Sequence, residues 1–186
     1  MKSLSPSGIL LAVAHGSESL ETVAIVNVLR RAELEVSLAS IEPELLIAGT
    51  RGIRIAADTH LLDAREHCWA AIVLPGGEKG ADALGRHAPL LEMIHDQNDT
   101  GRLLAAICAA PALTLASHHL LDRRRATCYP AFKARLPHYV DEAVVTDGHI
   151  LTSQGPGTAI AFALAIVERL AGKPLRDQVA AGMLLP

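Results

Sequence analysis

The chain has 186 residues, half of them hydrophobic and 3% aromatic, with a formal net charge of −3. That length and apolar content suit one domain (1–186) with one core and exclude a disordered segment. The charge balance excludes the basic footprint of a nucleic-acid binder, and its one basic cluster, Arg123-Arg124-Arg125, reads as a solvated loop.

Three cysteines, Cys68, Cys108 and Cys128, are an odd number at spacings that suit neither a disulfide framework nor a zinc site; a reducing cytoplasm is expected. Lys2 precedes an apolar run ending in Ala12-Val13-Ala14, which imitates a signal-peptide cleavage site. The uninterrupted apolar core, Ile9–Ala14, falls short of the ~7 residues of such a signal, and no run approaches the ~18 of a membrane span.

In chain order, Ile9–Ala14 is the first buried strand. Glu21–Ala32 follows as a helix, with Val23, Ile25, Val26, Val28 and Leu29 at helical spacing. Glu35–Ser40 alternates in polarity as a second strand. Leu45–Ala48 and Ile53–Ala56 flank Gly49-Thr50-Arg51-Gly52 as a small hairpin. Ala70–Leu74 is a buried strand ending in Pro75-Gly76-Gly77, and Pro89–Gln97 is a helix. Leu103–Ile107 is a strand that runs into Cys108, with a helical pattern resuming at Leu113. Val144–Thr146 and Ile150–Thr152 flank the hairpin turn Asp147-Gly148. Thr158–Ala171 is a long apolar helix, closed by Gly172 and Pro174. Strands alternating with helices imply an α/β domain whose mostly parallel sheet is covered on both faces. Ligands of such sheets sit beyond the carboxyl ends of strands. The loop His15-Gly16-Ser17-Glu18, Gly76-Gly77 and Cys108 should therefore gather at one edge.

Strand, sharp turn, small residues and helix make Ala105-Ala106-Ile107-Cys108-Ala109-Ala110-Pro111 a nucleophile elbow. A sulfur at a helix N-terminus faces backbone N–H groups, so its pKa is expected to fall. A buried packing cysteine is the alternative. Glu21 opens the helix after the first strand. It is either an ordinary first-turn acid or, where that helix faces the elbow, a protonated partner of Cys108. Glu18 is a competing carboxylate in the same loop. The N–H groups of Gly77 and Ala109 are candidate oxyanion donors, with Gly76 and Gly77 allowing close approach. Gln154-Gly155-Pro156-Gly157-Thr158 fits no phosphate-binding fingerprint; Thr158 is a candidate N-cap and Pro156 a candidate pocket wall. Nine histidines are scattered without ligand spacing, so no metal is expected.

Leu74-Pro75-Gly76-Gly77, the elbow motif, Leu151 to Thr158 and the stretch Gly16–Thr22 together resemble the ThiJ/PfpI superfamily, in the branch of YajL and the parkinsonism-associated deglycase. The resemblance spans about Ile9 to Val179. It implies a flavodoxin-like three-layer sandwich, a homodimer with Arg30, Arg31 and Arg51 near the interface, and a reactive Cys108 paired with protonated Glu21. It also implies glyoxalase or deglycase chemistry on aldehydes or glycated substrates without a cofactor, or alternatively thiol redox sensing or chaperone action. Two departures stand out. Ala109 replaces the histidine that follows the nucleophile in the protease-like branch. Tyr129 occupies the place of a family histidine, which leaves Glu21 more of the proton traffic. Glu78 further replaces a smaller polar residue at the pocket rim. Amidotransfer, which needs a Cys-His-Glu set, is the weakest alternative.

Overall fold

The computed structural model describes residues 6–185, so Lys2 in the leader-like start lies outside the described residues. Seven strands form one sheet in the order β5-β2-β1-β6-β7-β9-β8. These are β1 (Ser7–Val13), β2 (Val36–Ser40), β5 (Thr59–His60), β6 (Trp69–Leu74), β7 (Leu103–Ile107), β8 (Val144–Asp147) and β9 (Ile150–Ser153). All pair in parallel except β8, which runs antiparallel to β9 through a turn at Gly148-His149, one residue beyond the expected Asp147-Gly148. The second sheet is the expected hairpin, β3 (Leu46–Ala48) against β4 (Arg54–Ala56).

The unbroken apolar runs of β1, β6 and β7 follow from burial on both faces. Leu10, Leu11, Ile72, Leu74, Leu104 and Ile107 are all fully buried. Helix α1 (Ser19–Arg31) packs on α4 (Ala159–Ala171), and α4 on α5 (Lys173–Gly182). Helix α3 (Ala88–Asp99) lies against β6 and β7, with α2 (Glu78–Leu84) nearby against β1. Helices thus cover both sides of the sheet, the flavodoxin-like layering expected.

Three elements escape the sequence pattern: β5 with two residues, α2 with seven, and α5. Gly172, at φ 88, does close α4, but Pro174 then sits in the first turn of α5 instead of ending the helical stretch. The helix expected after the elbow is a single π turn, Pro111–Leu115, followed by a 3-10 turn, Ala116–His118. Thr158 precedes α4 but does not cap it. Its hydroxyl donates to the Gly155 carbonyl at 2.9 Å and accepts the Gly155 N–H at 3.1 Å, closing the loop before it. No helix among the described residues is long and apolar enough to cross a membrane.

Candidate active site

Strand β1 leads to neighbours on one side and β6 to neighbours on the other, so the order reverses between them. Loops leaving the carboxyl ends of two such strands part and open a crevice. The loops after β1, β6 and β7 meet there, and they carry the residues singled out by the sequence.

Cys108 sits at φ 64, a left-handed conformation unusual for a residue with a side chain. Its N–H donates to the Ser153 carbonyl at 2.9 Å, and its carbonyl accepts the Tyr129 N–H at 2.8 Å. These bonds from two neighbouring segments hold the bend against its strain. The sulfur lies over Gly76. A Cβ on that glycine would stand 2.4 Å from the Cys108 Cβ, 2.9 Å from Sγ and 2.8 Å from Glu21 Oε2. No residue larger than glycine fits there undisturbed.

Glu21 is fully buried in the first turn of α1, and its helix does face the elbow. Oε2 accepts the Gly76 N–H at 2.7 Å, and the carboxyl is hydrogen-bonded to the Cys108 sulfur. Oε1 has no protein N–H or O–H partner. Burial pushes the Glu21 carboxyl up to about 7. The Cys108 thiol is pushed up to about 12, by burial first and then by the charge of ionised Glu21, against the pull of the Gly77 and Ala109 N–H groups. This corrects the expectation of a lowered thiol pKa. The five-residue π turn supplies little dipole, and burial outweighs it. The two groups titrate as a unit. Burial and their mutual charge oppose ionising both, so the carboxyl and the thiol compete for one proton.

The other predicted residues divide in role. Gly77 and Ala109 direct their N–H groups at the sulfur itself. Glu18 lines the cleft and is also the N-cap of α1. Its oxygens accept the Glu21 N–H at 2.7 Å and the Thr50 hydroxyl at 3.0 Å. Tyr129 and Pro156 line the cleft above Cys108. Of the expected interface arginines, Arg30 pairs with Asp58 at 2.5 Å and Arg31 donates to Asn27 at 2.8 Å, while Arg51 faces the cleft.

The cleft holds about 840 Å³ and is walled in addition by His15, Lys79 and Phe132 and by the β3–β4 turn. That turn is fastened to the start of α1: the Ser19 hydroxyl donates to the Thr50 carbonyl at 3.0 Å, and the Thr50 N–H to the Ser17 carbonyl at 3.0 Å. Arg51 is thereby presented at φ 57. Neither Arg51 nor Lys79 makes an ion pair among the described residues. Of these walls the sequence marked only the His15 loop. The Gly49–Gly52 turn was visible, but its folding over the elbow comes from long-range hydrogen bonds. No three His, Cys, Asp or Glu side chains gather as metal ligands among the described residues, and all three cysteines are free thiols.

The fold and the site define an α/β protein whose elbow cysteine is coupled to a buried glutamate. The chain belongs to the DJ-1/PfpI family, whose model matches residues 7–169. It is 42% identical over 181 residues to Protein DJ-1 homolog A of Arabidopsis thaliana, covering 95% of this chain and 46% of that protein. The chain thus spans under half the length of the Arabidopsis relatives it matches. It is 35% identical over 172 residues to the glutathione-independent glyoxalase DJR-1.2 of Caenorhabditis elegans, covering 89% of each. The solved structure of oxidized Toxoplasma gondii DJ-1 superposes with a TM-score of 0.94 at 36% identity, covering 96% of this chain and 98% of that one.

Proposed function

We propose that the protein is a cofactor-independent cysteine enzyme acting on reactive dicarbonyls or on the glycation adducts they form. The observation that carries this reading is a sulfur at a strained bend, hydrogen-bonded to a buried carboxyl beneath an open cleft. The glyoxalase name of the nematode relative supports it. Of the two one-proton arrangements, thiolate with carboxylic acid is the reactive one. The Gly77 and Ala109 N–H groups on sulfur stabilise it, against the burial that holds the proton on the thiol.

The thiolate attacks the aldehyde carbon of a 2-oxoaldehyde. A C–S bond forms, the carbonyl electron pair moves to oxygen, and that oxygen takes the Glu21 proton to give a hemithioacetal. Once the sulfur is uncharged, the Gly77 and Ala109 N–H groups lie beside the developing oxyanion. Glu21, now a carboxylate, removes the C1 proton and returns it to C2, while the hemithioacetal hydroxyl proton passes to the ketone oxygen. The aldehyde carbon is thereby oxidised to a thioester and the ketone reduced to an alcohol, without an external electron acceptor. Water hydrolyses the thioester, releasing the 2-hydroxy acid and the thiol. From a glycated adduct the leaving group is the amine. Purified protein incubated with methylglyoxal should yield lactate, and Cys108→Ala should fall to buffer background. No lactate from the wild type, or equal lactate from the variant, overturns the reading.

Thiol redox sensing is the second reading, supported by the relative solved in an oxidized form. Cys68 is the more exposed sulfur, so exposure alone would oxidise it first. The Gly77 and Ala109 N–H groups, which stabilise a thiolate, would instead direct mild peroxide to Cys108. Peptide mass spectrometry should find two added oxygens there before any on Cys68 or Cys128; uniform oxidation counts against the idea. The homodimer implied by resemblance is proposed through the outer face of α1 and the β3–β4 hairpin, where Leu20, Val23, Leu46 and Ile53 stand exposed. Sedimentation should return twice the chain mass.

A further inference from the structure

The cleft is far roomier than a three-carbon dicarbonyl needs. Its volume of about 840 Å³ lies in the range of pockets that enclose drug-sized ligands. Its walls are chemically unequal. Tyr129, Phe132 and Pro156 supply its apolar lining. The two aromatic rings lie 6.5 Å apart, tilted by 53°. Tyr129 is the large apolar side chain left most exposed in the cleft, at 46%. Arg51 and Lys79 also line the cleft, and their charges reject an apolar group beside them.

The aromatic wall is fixed relative to the nucleophile. The Tyr129 N–H donates to the Cys108 carbonyl at 2.8 Å, and the Phe132 N–H to the Tyr129 carbonyl at 2.9 Å. Across Gly155, the Tyr129 ring and the sulfur approach the same point. A Cβ there would stand 3.4 Å from Tyr129 Cδ2 and 4.0 Å from Cys108 Sγ. A substrate carbon bound to the sulfur therefore has the flat face or edge of an aromatic ring one substituent away. Aromatic rings prefer aromatic neighbours at such spacing.

We propose that Tyr129, backed by Phe132, is a specificity-determining residue that selects 2-oxoaldehydes bearing an aryl substituent over methylglyoxal. The proposal rests on the dicarbonyl reading of the site. The balanced reaction is aryl 2-oxoaldehyde plus water to aryl 2-hydroxy acid, with the aldehyde carbon oxidised and the ketone carbon reduced within one molecule. Phenylglyoxal would give mandelate.

The test compares kcat/KM for phenylglyoxal and methylglyoxal in the wild type, Tyr129→Phe and Tyr129→Leu. The wild type and the Phe variant should favour phenylglyoxal by about fivefold to tenfold, the worth of one aromatic contact. The Leu variant, which keeps apolar bulk without a ring, should lose that ratio. A wild-type ratio near one, or a ratio unchanged in the Leu variant, overturns the proposal. A second arm needs no turnover. Calorimetric titration with mandelate and with lactate should show mandelate binding more tightly to the wild type, and the difference should vanish in Tyr129→Leu. Equal binding overturns the proposal. Absence of hydroxy acid from both substrates overturns the enzymatic reading alone, and the binding arm then decides the aromatic wall.

Discussion

Burial and backbone N–H groups pull the Cys108 proton in opposite directions, and Glu21 decides the balance. While Glu21 is ionised its charge holds the proton on sulfur; once Glu21 takes the proton, the sulfur is left anionic with two N–H donors. Alkylation by iodoacetamide reports thiolate and separates the two arrangements. In the wild type the rate should rise through about pH 7, where the pair loses its first proton. Glu21→Gln removes only the arrangement with the charge on the carboxyl. If the thiolate form already dominates, the midpoint should stay within about one pH unit of 7. A midpoint moving past ~8.5, the free-thiol value, would show that the wild-type sulfur keeps its proton. Both members of this pair were legible in the sequence, Cys108 from its elbow and Glu21 from its place after β1. The direction of the thiol's own shift was not, because burial of the sulfur arises from Gly76 and α1, which are distant in the chain.

Among the elements, the turn after β6 has the least freedom. Gly76 allows the carboxyl of α1 and the sulfur of the elbow to meet over bare backbone. Gly76→Ala puts a methyl group into both, and the added strain should cost about 1–3 kcal/mol of stability. Because Cys108 and Glu21 are what must move, activity should fall even where the fold persists. We expect at least a tenfold loss of kcat/KM in a protein whose circular dichroism is unchanged. Full activity in Gly76→Ala would show that the pair does not need this contact. The long elements were legible because their periodicity runs for several turns or spans a whole buried strand. Helix α2 begins directly after Gly77 and lasts two turns, too short for a pattern to emerge from Glu78–Leu84. Strand β5 exists only through its pairing with Ser40 and Ala39. The capping role of Glu18 was hidden for a related reason: Ser, Thr, Asp and Asn are the usual caps, and the second oxygen of Glu18 is engaged by Thr50 from another hairpin.

For the molecule as a whole, a carboxyl kept protonated by burial links folding to pH. The Glu21 carboxyl lies at about 7 in the fold against 4.5 when unfolded. Between these values the folded chain binds more protons than the unfolded one, so stability must fall as pH rises. At ~1.4 kcal/mol per pH unit, the loss from pH 4.5 to 7 is of order 3 kcal/mol. His87 and His149 act in the opposite sense. Burial lowers both, so they add stability above their folded values that is complete by the ordinary histidine value of 6.5. The wild-type profile alone therefore mixes rising and falling contributions. Glu21→Gln removes one of them and leaves both histidines in place. Urea unfolding of the two proteins at pH 5 and pH 8 isolates the carboxyl, because the histidine contributions cancel in the difference. The variant should gain on the wild type by roughly 2–3 kcal/mol between pH 5 and pH 8. A constant difference would mean that Glu21 ionises at its ordinary value inside the fold. The proton it is proposed to lend to Cys108 would then be gone before neutral pH.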